Sequence, residues 1–354
     1  MSRMPANFCF KPWVELYSHF DTFGPCCVNY KLYKGTINTY RDSKELKQLK
    51  REFLANKRPA SCSACWEAED QGIRSVRQID NKLKGKDLQT ISISLSNKCN
   101  FKCRMCNPED SSAWALDKKA CDILDWYDVP TDTDLPTIDW IINVAKKQKL
   151  YIRMMGGEPL ITNEFLYFLQ QLDKYDLYRN IYLILTTNLS VLSYKGVNYL
   201  DYFDKFSKID IYASFDGVGE VGEYIRHGFN FKKFDTNLQA ASKFVNNLSV
   251  TVQLYNIFDM PNIFAYAEKN NLNVNFNYLV EPSFLRIENL NLEDKKAILK
   301  HYKDKKFTNK ELESALTTSR ILNQKPKFLE YTQSLDALWN KDLMQSIPEL
   351  KILY

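Results

Sequence analysis

Residues 88–106 read LQTISISLSNKCNFKCRMC, a short apolar run that is followed at once by three closely spaced cysteines. The run predicts a buried strand over Leu88–Leu95. Cys99, Cys103 and Cys106 then follow at the spacing C-x3-C-x2-C. Three thiolates on one short loop can bind three corners of a cubane iron–sulfur cluster and leave one iron open for another ligand. A zinc site and a loop of unligated thiols remain alternatives at this point.

Strands alternate with helices on the carboxyl side of this stretch. Further strands are predicted at Tyr151–Met155, Ile181–Thr187, Ile209–Phe215, Val250–Tyr255 and Val274–Leu279. Helices are predicted around 112–125, 138–147, 163–173, 197–206, 232–246 and 262–270. The alternation predicts an α/β fold with right-handed crossovers, either a full or partial barrel or a doubly wound sheet. In both cases functional residues gather at the carboxyl ends of the strands.

Two segments flank this alternating region. Residues 1–85 are predicted to be irregular apart from one helix, which Asp42-Ser43 would cap and Pro59 would end. Residues 286–354 are predicted to be helical with Lys-rich polar faces. Such faces are usually solvated, although a basic surface for RNA remains open at this stage.

The composition is that of an ordinary globular protein, with 354 residues, 45% hydrophobic residues and 26% charged residues. A net charge of +5 is too small for this length to indicate nucleic-acid binding. No apolar run follows the first arginine, so we expect no signal peptide. No stretch reaches the roughly 18 apolar residues of a membrane span, so we expect no membrane partner. The three histidines are too far apart for HExxH, which argues against a metalloprotease.

Cysteine is the informative residue type in this composition. Nine cysteines are present, an odd number that fits poorly with a secreted disulfide framework. Clustered cysteines in a reducing compartment are more often metal or redox ligands, so we expect a cytoplasmic protein. Cys121 stands apart from the clusters, in an apolar predicted helix, and is predicted to be a core residue.

The second predicted strand ends in Gly156-Gly157-Glu158-Pro159. Paired glycines let a ligand approach the main chain because no Cβ stands in the way. Their carbonyl groups and the Glu158 carboxylate could accept hydrogen bonds from a bound ammonium group. A plain strand-to-helix turn with a helix-starting proline is the structural alternative.

The next two predicted strands end in Thr-Thr-Asn188 and in Ala-Ser214-Phe-Asp216-Gly. Ser214 and Asp216 lie two residues apart and share a face of an extended chain, which suits the vicinal hydroxyls of a ribose. Arg226 follows and can fork onto a carboxylate. Taken singly, these residues could equally be caps, turn residues or a surface salt bridge. Together, an ammonium, a carboxylate and a ribose beside an open iron describe S-adenosylmethionine.

In this order the four motifs resemble those of the radical S-adenosylmethionine (radical SAM) superfamily over about residues 88–285. The resemblance implies a partial (β/α)6 barrel. It also implies that Cys99, Cys103 and Cys106 ligate a [4Fe–4S] cluster. The implied contacts to S-adenosylmethionine are Gly156, Gly157 and Glu158 for its amino group, Ser214 and Asp216 for its ribose, Arg226 for its carboxylate, and Asn188.

A second group of cysteines precedes the first predicted strand. It comprises Cys9 in C-x2-P-W, Cys26 and Cys27 in Gly-Pro-Cys-Cys, and Cys62 and Cys65 in C-x2-C-W. Four thiolates could hold a metal ion tetrahedrally or a complete [4Fe–4S] cluster, and spacing does not separate these options. The segment resembles the auxiliary-cluster modules, called twitch or SPASM-like, of many radical SAM enzymes. That resemblance implies Cys9, Cys26, Cys62 and Cys65 as ligands, with Cys27 as the alternative to Cys26.

The resemblance divides the chain into an auxiliary module (1–85), a radical SAM barrel (86–285) and a helical extension (286–354). It implies an enzyme that cleaves S-adenosylmethionine reductively to a 5′-deoxyadenosyl radical, which takes hydrogen from a peptide, protein, sugar, nucleoside or RNA. The auxiliary cluster would transfer electrons, and a flavodoxin or ferredoxin would be the one-electron donor. A zinc-binding interaction protein and an electron-transfer iron–sulfur protein are the alternative functions.

Overall fold

The computed structural model describes residues 5–70, 74–80, 88–126, 135–317 and 321–353. Strands and helices alternate along much of the chain, which confirms the α/β class. The chain divides into two compact units. The first unit comprises Met1–Asn97, Pro130–Leu185 and Tyr199–Ile209, and the second comprises Lys98–Val129, Thr186–Asn198 and Asp210–Tyr354.

The strands of the described residues are short, as is usual for a mixed fold. In chain order they are β1 (Glu15–His19), β2 (Thr22–Gly24), β3 (Tyr33–Lys34), β4 (Thr90–Ser94), β5 (Lys102–Cys103), β6 (Leu150–Met155), β7 (Ile181–Thr187), β8 (Ser193–Tyr194), β9 (Val197–Asn198), β10 (Lys208–Ser214), β11 (Arg226–His227), β12 (Val245–Val252) and β13 (Asn273–Tyr278).

Helices occupy much of the remaining described chain. The α-helices are Lys11–Val14, Ile37–Arg41, Lys44–Leu54, Ser63–Asp70, Val76–Asp80, Ser112–Ala115, Lys118–Leu124, Leu135–Ala145, Asn163–Tyr175, Tyr199–Phe203, Glu220–Ile225, Phe231–Ala240, Met260–Lys269, Leu292–Asp304, Lys310–Thr317, Lys325–Trp339 and Leu343–Ser346. Short 3₁₀ turns lie at Ala60–Cys62, Pro159–Ile161, Tyr178–Asn180, Leu254–Asn256, Ser283–Leu285, Ile287–Asn289 and Pro348–Leu353.

The first unit contains a sheet in which β7, β6, β4 and β1 run parallel, followed by β2 and β3 in antiparallel pairing. Every residue of β4 is buried, as expected for a parallel strand covered on both faces. Ile91 of β4 stands in register between Leu16 of β1 and Ile152 of β6. This apolar row anchors the sheet in the core.

The prediction that residues 1–85 are irregular with one helix is wrong, because β1, β2 and β3 lie in this segment. The helix predicted there is confirmed at Lys44–Leu54, and the Ser43 side chain caps it by accepting a hydrogen bond from the amide of Leu46 at 3.1 Å. β1 went unrecognised because its sequence, Glu-Leu-Tyr-Ser-His, mixes polar and apolar residues. Its pairing with the distant β4 buries the polar ones.

The second unit holds β10, β12 and β13 in parallel register, together with the antiparallel pairs β5–β11 and β8–β9. The six strands predicted from residue 88 onward are all present, with ends that shift by a few residues. The largest shift is in β12, which begins at Val245 because the helix before it ends at Ala240, six residues earlier than predicted. The closure into a partial (β/α)6 barrel and the boundaries at 85 and 285 remain predictions.

The carboxyl-terminal segment is helical, as predicted, and the described helices from Leu292 onward surround a core that contains Ile298, Leu312 and Leu335. Cys121 is buried in the Lys118–Leu124 helix, which confirms its prediction as a core residue. Within the described part of the chain, no helix combines the length and the apolar character that crossing a membrane requires.

Candidate functional site

Hydrogen bonds to backbone groups of the three cysteines hold the C-x3-C-x2-C loop in place. Ser112 Oγ accepts a hydrogen bond from the Cys99 amide at 3.1 Å and lies 3.3 Å from the Cys99 carbonyl oxygen. Trp114 Nε1 donates to the Cys103 carbonyl at 2.9 Å, and the Cys106 amide donates to that same carbonyl, also at 2.9 Å. The loop therefore presents its thiols from a fixed backbone, as a metal site needs.

Burial makes these thiols hard to ionise without a metal. It raises the pKa of the Cys103 thiol to about 11, although the Arg226 guanidinium opposes the rise. Burial, with the Asp110 carboxylate, holds the pKa of Cys106 well above its usual range. A metal ligand must be a thiolate, so iron binding at this loop would release protons.

Arg226 joins two of the predicted site residues in the second unit. It stands opposite Cys103 in the β5–β11 pair, and its Nη1 lies 3.8 Å from Cys103 Sγ. Its Nε lies 2.7 Å from Oδ2 of Asp216, a fully buried carboxylate whose Oδ1 accepts a hydrogen bond from the Thr251 amide at 2.7 Å. Burial raises the pKa of Asp216, and Arg226 partly offsets this.

The Arg226–Asp216 ion pair is close but poorly aligned. Neither Arg226 Nε nor Asp216 Oδ2 makes a hydrogen bond with any described residue, although both atoms are buried. The two atoms face each other at 2.7 Å, so the ion pair compensates their burial although its angles are poor for a hydrogen bond. The ribose and carboxylate contacts that the resemblance implies for these two residues stay predictions.

Asn188 and Ser214 also lie in the second unit. Asn188 follows β7, accepts a hydrogen bond from the Ser190 amide at 2.9 Å and donates to Asn100 Oδ1, within the cysteine loop, at 3.0 Å. Ser214 is the last residue of β10 and is half-buried. The structure thus brings Asn188 to the cysteine loop, whereas it places Ser214 at a strand end two residues before Asp216.

Gly156, Gly157 and Glu158 lie in the first unit, directly after β6. Both glycines have positive φ, +85° and +47°, which side chains rarely adopt. Glu158 is fully buried and accepts a hydrogen bond from the Leu160 amide at 3.0 Å, so it caps the 3₁₀ turn that begins at Pro159. The turn that the sequence offered as an alternative is therefore present, and it leaves the glycine main chain accessible without a Cβ.

The second cysteine group converges on one small cavity in the first unit, of about 20 Å³. Its lining includes Cys9, Cys26, Cys62 and Cys65, which are the four ligands that the resemblance implies. Cys27 is exposed and does not line this cavity. Four thiols around one cavity fit a cluster with a ligand at every iron.

Two cations line the same cavity. Lys11 is buried in an ion pair with Glu15, and Arg77 is buried with its Nη2 2.5 Å from Glu69 Oε2. Burial raises the pKa of the Cys9 thiol to about 12, and Lys11 opposes this rise. Positive charge beside the cavity would stabilise thiolates that gather around a metal centre.

Among the described residues, no group of three or more His, Cys, Asp or Glu side chains is arranged to hold a single metal ion. A zinc ion needs its sulfur ligands at about 2.3 Å from one point, whereas a four-iron cube spreads its thiolates over separate corners.

The sequence did not point to the residues that hold the cysteine loop from behind. Arg104, between the second and third cysteines, is fully buried, and its guanidinium carbon lies 3.7 Å from the Tyr224 ring centroid. It forms an ion pair with Asp336, and its carbonyl accepts a hydrogen bond from Tyr331 Oη at 2.7 Å. A basic residue inside a cysteine motif was the only signal for this contact, because Asp336 lies 232 residues away.

No family model matches the chain. Two curated proteins share a segment with it. The GTP 3',8-cyclase of Aliarcobacter butzleri is 28% identical over 109 residues, which is 31% of this chain and 30% of that protein. The GTP 3',8-cyclase of Campylobacter lari is 27% identical over 108 residues, again 30% of each chain. The match therefore spans less than a third of the curated relatives.

Solved structures of Streptococcus suis SuiB are also similar to this chain. SuiB bound to the precursor peptide SuiA is 13% identical, with a TM-score of 0.43 over 75% of this chain and 58% of that chain. SuiB bound to S-adenosylmethionine is 12% identical, with a TM-score of 0.41 over 86% of this chain and 69% of that chain.

Proposed function

We propose that this chain is a radical SAM enzyme, which uses the Cys99–Cys106 loop to hold a [4Fe–4S] cluster and cleaves S-adenosylmethionine there. When bound, the cluster supplies one electron to the sulfonium, so that a carbon–sulfur bond breaks to give methionine and a 5′-deoxyadenosyl radical. The radical takes a hydrogen atom from a peptide, protein, sugar, nucleoside or RNA substrate. The observation that carries this proposal is the buried Arg226–Asp216 pair against Cys103.

That pair suits S-adenosylmethionine for electrostatic reasons. The Arg226 guanidinium beside Cys103 offsets the negative charge that three thiolates bring into a buried loop. The Arg226 guanidinium would donate to the ligand carboxylate, and the Asp216 carboxylate would accept from a ligand hydroxyl. Ser214 would share the ribose with Asp216, and Gly156, Gly157 and Glu158 would accept hydrogen bonds from the amino group.

We propose a second role for the first unit, in which Cys9, Cys26, Cys62 and Cys65 hold an auxiliary [4Fe–4S] cluster. Four thiolates leave no iron open for a substrate, so this cluster suits electron transfer. Lys11 and Arg77 would offset its negative charge from the walls of the cavity. The shared cavity supports this proposal, and a flavodoxin or ferredoxin would supply electrons.

The test is anaerobic reconstitution of the full chain with iron and sulfide, followed by reduction with dithionite in the presence of S-adenosylmethionine. We expect about eight irons per chain for two clusters, and 5′-deoxyadenosine as a product. Cys103→Ala should abolish 5′-deoxyadenosine, whereas the matched variant Cys121→Ala, a buried cysteine outside the motif, should retain it. Zinc in place of iron, or equal 5′-deoxyadenosine from both variants, would overturn the proposal.

A further inference from the structure

The positive charge of the chain is concentrated in one segment of the first unit. Residues 31–58 hold nine basic and three acidic side chains, a net charge of +6, which exceeds the +5 of the whole chain. All nine basic side chains except the half-buried Lys50 are exposed. The nine are Lys31, Lys34, Arg41, Lys44, Lys47, Lys50, Arg51, Lys57 and Arg58. The other residues together therefore have a charge close to zero.

This segment forms much of the wall of an open groove of about 600 Å³, which we call the lysine groove. It is lined by Lys31, Lys34 and Lys44, by Glu45 and Glu52, by the aromatic rings of Tyr30 and Tyr33, and by neighbouring residues of the Lys44–Leu54 helix. Lys31 and Lys44 form no ion pair with any residue in the part of the chain that the structure describes. Their charges are therefore available to a partner.

The floor of the lysine groove is also a wall of the cysteine cavity. Asn29 lines both spaces. Its Nδ2 lies 3.1 Å from Oγ of Ser61, another groove residue, and 3.5 Å from Sγ of Cys62. A molecule in the groove would thus be separated from a cluster ligand by one side chain.

Tyr40 is a second groove residue that lies near one of the cavity cysteines. Its ring lines the groove and packs against the rings of Tyr33, with centroids 5.9 Å apart, and Phe23, at 6.1 Å. Its hydroxyl is buried and has no hydrogen-bond partner among the described residues. The hydroxyl is close enough to the Cys26 thiol for the two groups to interact electrostatically.

We propose that the lysine groove is the docking surface for an acidic one-electron carrier protein, which exchanges its electron with the auxiliary cluster through the Asn29 and Tyr40 wall. This inference rests on the auxiliary cluster of the proposed function. In one direction the reduced carrier loses one electron and the cluster gains it. In the other direction the cluster returns to an oxidised carrier the electron that the substrate radical left on it. Clustered lysines around an exposed groove steer acidic proteins to it.

A redox partner explains the position of the charge better than a polyanion does. RNA or an acidic peptide would bind a basic face anywhere on the molecule. Only an electron carrier requires the face to lie one side chain from Cys62. RNA and acidic peptides are therefore rival occupants that the test must separate.

The test measures how fast a reduced flavodoxin, in its hydroquinone form, reduces the auxiliary cluster of the reconstituted full chain. A Cys99→Ala/Cys103→Ala/Cys106→Ala background leaves only that cluster. In this background, Lys31→Glu/Lys34→Glu/Lys44→Glu should slow the second-order rate at low salt on the order of tenfold or more. The matched variant Lys296→Glu/Lys303→Glu/Lys306→Glu, on exposed lysines elsewhere, should stay within about twofold.

The same samples distinguish a failure of the docking proposal from a failure of the auxiliary-cluster proposal. Reduction by dithionite must be equal in both charge variants, which shows that the cluster is present in each. Equal flavodoxin rates in the two variants would then overturn the docking proposal alone. Absence of iron in the cysteine-to-alanine background would overturn the auxiliary cluster, and the docking proposal with it. Lysine-dependent binding of an oligoribonucleotide or a polyglutamate peptide, without any effect on the flavodoxin rate, would assign the groove to that ligand instead.

Discussion

At the scale of single residues, Gly156 shows why the Gly-Gly-Glu-Pro motif needs glycine. Its φ is +85°, and a Cβ added there would lie 2.7 Å from Cβ of Ser94. Gly196 also has positive φ, +78°, but a Cβ added there would meet no atom within 4 Å. Comparing an alanine substitution at each position therefore separates the cost of backbone strain, which both share, from the cost of a steric clash, which only Gly156 has.

We expect Gly196→Ala to lower the free energy of unfolding by about 1 kcal/mol, the cost of a left-handed residue with a side chain. Gly156→Ala should lower the free energy of unfolding by about 1–3 kcal/mol more than Gly196→Ala does, because the added methyl group overpacks the β4–β6 contact. Urea denaturation of each variant measures both values. Adding Ser94→Gly to Gly156→Ala should recover part of the loss, and equal losses in the two single variants would contradict the clash.

Arg226 and Asp216 form the second residue-scale case. Both side chains are buried, so removing one partner leaves a charge without its counter-charge. Arg226→Gln should therefore destabilise the fold by about 3–5 kcal/mol in urea denaturation. The double variant Arg226→Gln/Asp216→Asn should recover much of that loss, because it removes both charges. A double variant as unstable as the single one would show that packing, and not charge, dominates at this position.

At the scale of elements, the Lys325–Trp339 helix holds the cysteine loop in place. Its Asp336 pairs with the buried Arg104, and its Tyr331 donates a hydrogen bond to the Arg104 carbonyl at 2.7 Å. Trp339 of the same helix packs edge-on against Trp114, whose Nε1 holds the Cys103 carbonyl. The carboxyl-terminal extension is therefore part of the support of the candidate cluster site.

We expect Asp336→Ala to destabilise the fold by about 3–5 kcal/mol, because it leaves the Arg104 guanidinium buried without its carboxylate. The loop would lose its support, so the iron retained after desalting should also fall. Gln333→Ala, at an exposed position of the same helix, is the control and should change neither quantity. Unchanged iron content in a destabilised Asp336→Ala protein would show that the helix supports the fold but not the loop.

β11 carries a pH-sensitive group. Burial and the nearby Lys102 lower the pKa of His227, which stacks on Trp339, to about 4. The unfolded chain binds the proton more readily than the folded chain, so this contribution to stability is present above about pH 6.5 and is lost as the pH falls toward 4. Urea denaturation at pH 7.5 and pH 5 should show a smaller acid loss for His227→Gln than for the parent chain. An equal acid loss would place the sensitive group elsewhere.

Local patterns predicted the elements that local sequence controls. The apolar runs of β4, β6 and β7 and the Ser43 cap of the Lys44–Leu54 helix were all recognisable, because each depends on neighbouring residues. β1 was not recognisable, because its burial depends on pairing with β4, more than 70 residues away. The cysteine motif could likewise be predicted because it is local, whereas the Arg104–Asp336 ion pair could not, because it joins residues 232 positions apart.

At the scale of the whole molecule, the two cysteine groups belong to different compact units. Each group is enclosed by charges of its own unit, Arg226 and Asp216 in the second and Lys11 and Arg77 in the first. Two separately built sites should therefore lose their metal separately. This independence permits a test in which one site is removed and the other is measured.

We expect Cys62→Ala/Cys65→Ala to reduce the iron content from about eight to about four per chain, because a cube that loses two of its four thiolates is not retained. Cleavage of S-adenosylmethionine with dithionite should continue, since the cysteines of its cluster lie in the other unit, whereas conversion of the substrate should stop. Cys27→Ala is the matched control, because Cys27 is exposed and lies off the cavity, and it should retain all the iron. Iron loss from Cys27→Ala equal to that from Cys26→Ala would show that both vicinal thiols are ligands. Loss of cleavage in a folded, iron-loaded Cys62→Ala/Cys65→Ala chain would show that the two sites depend on each other.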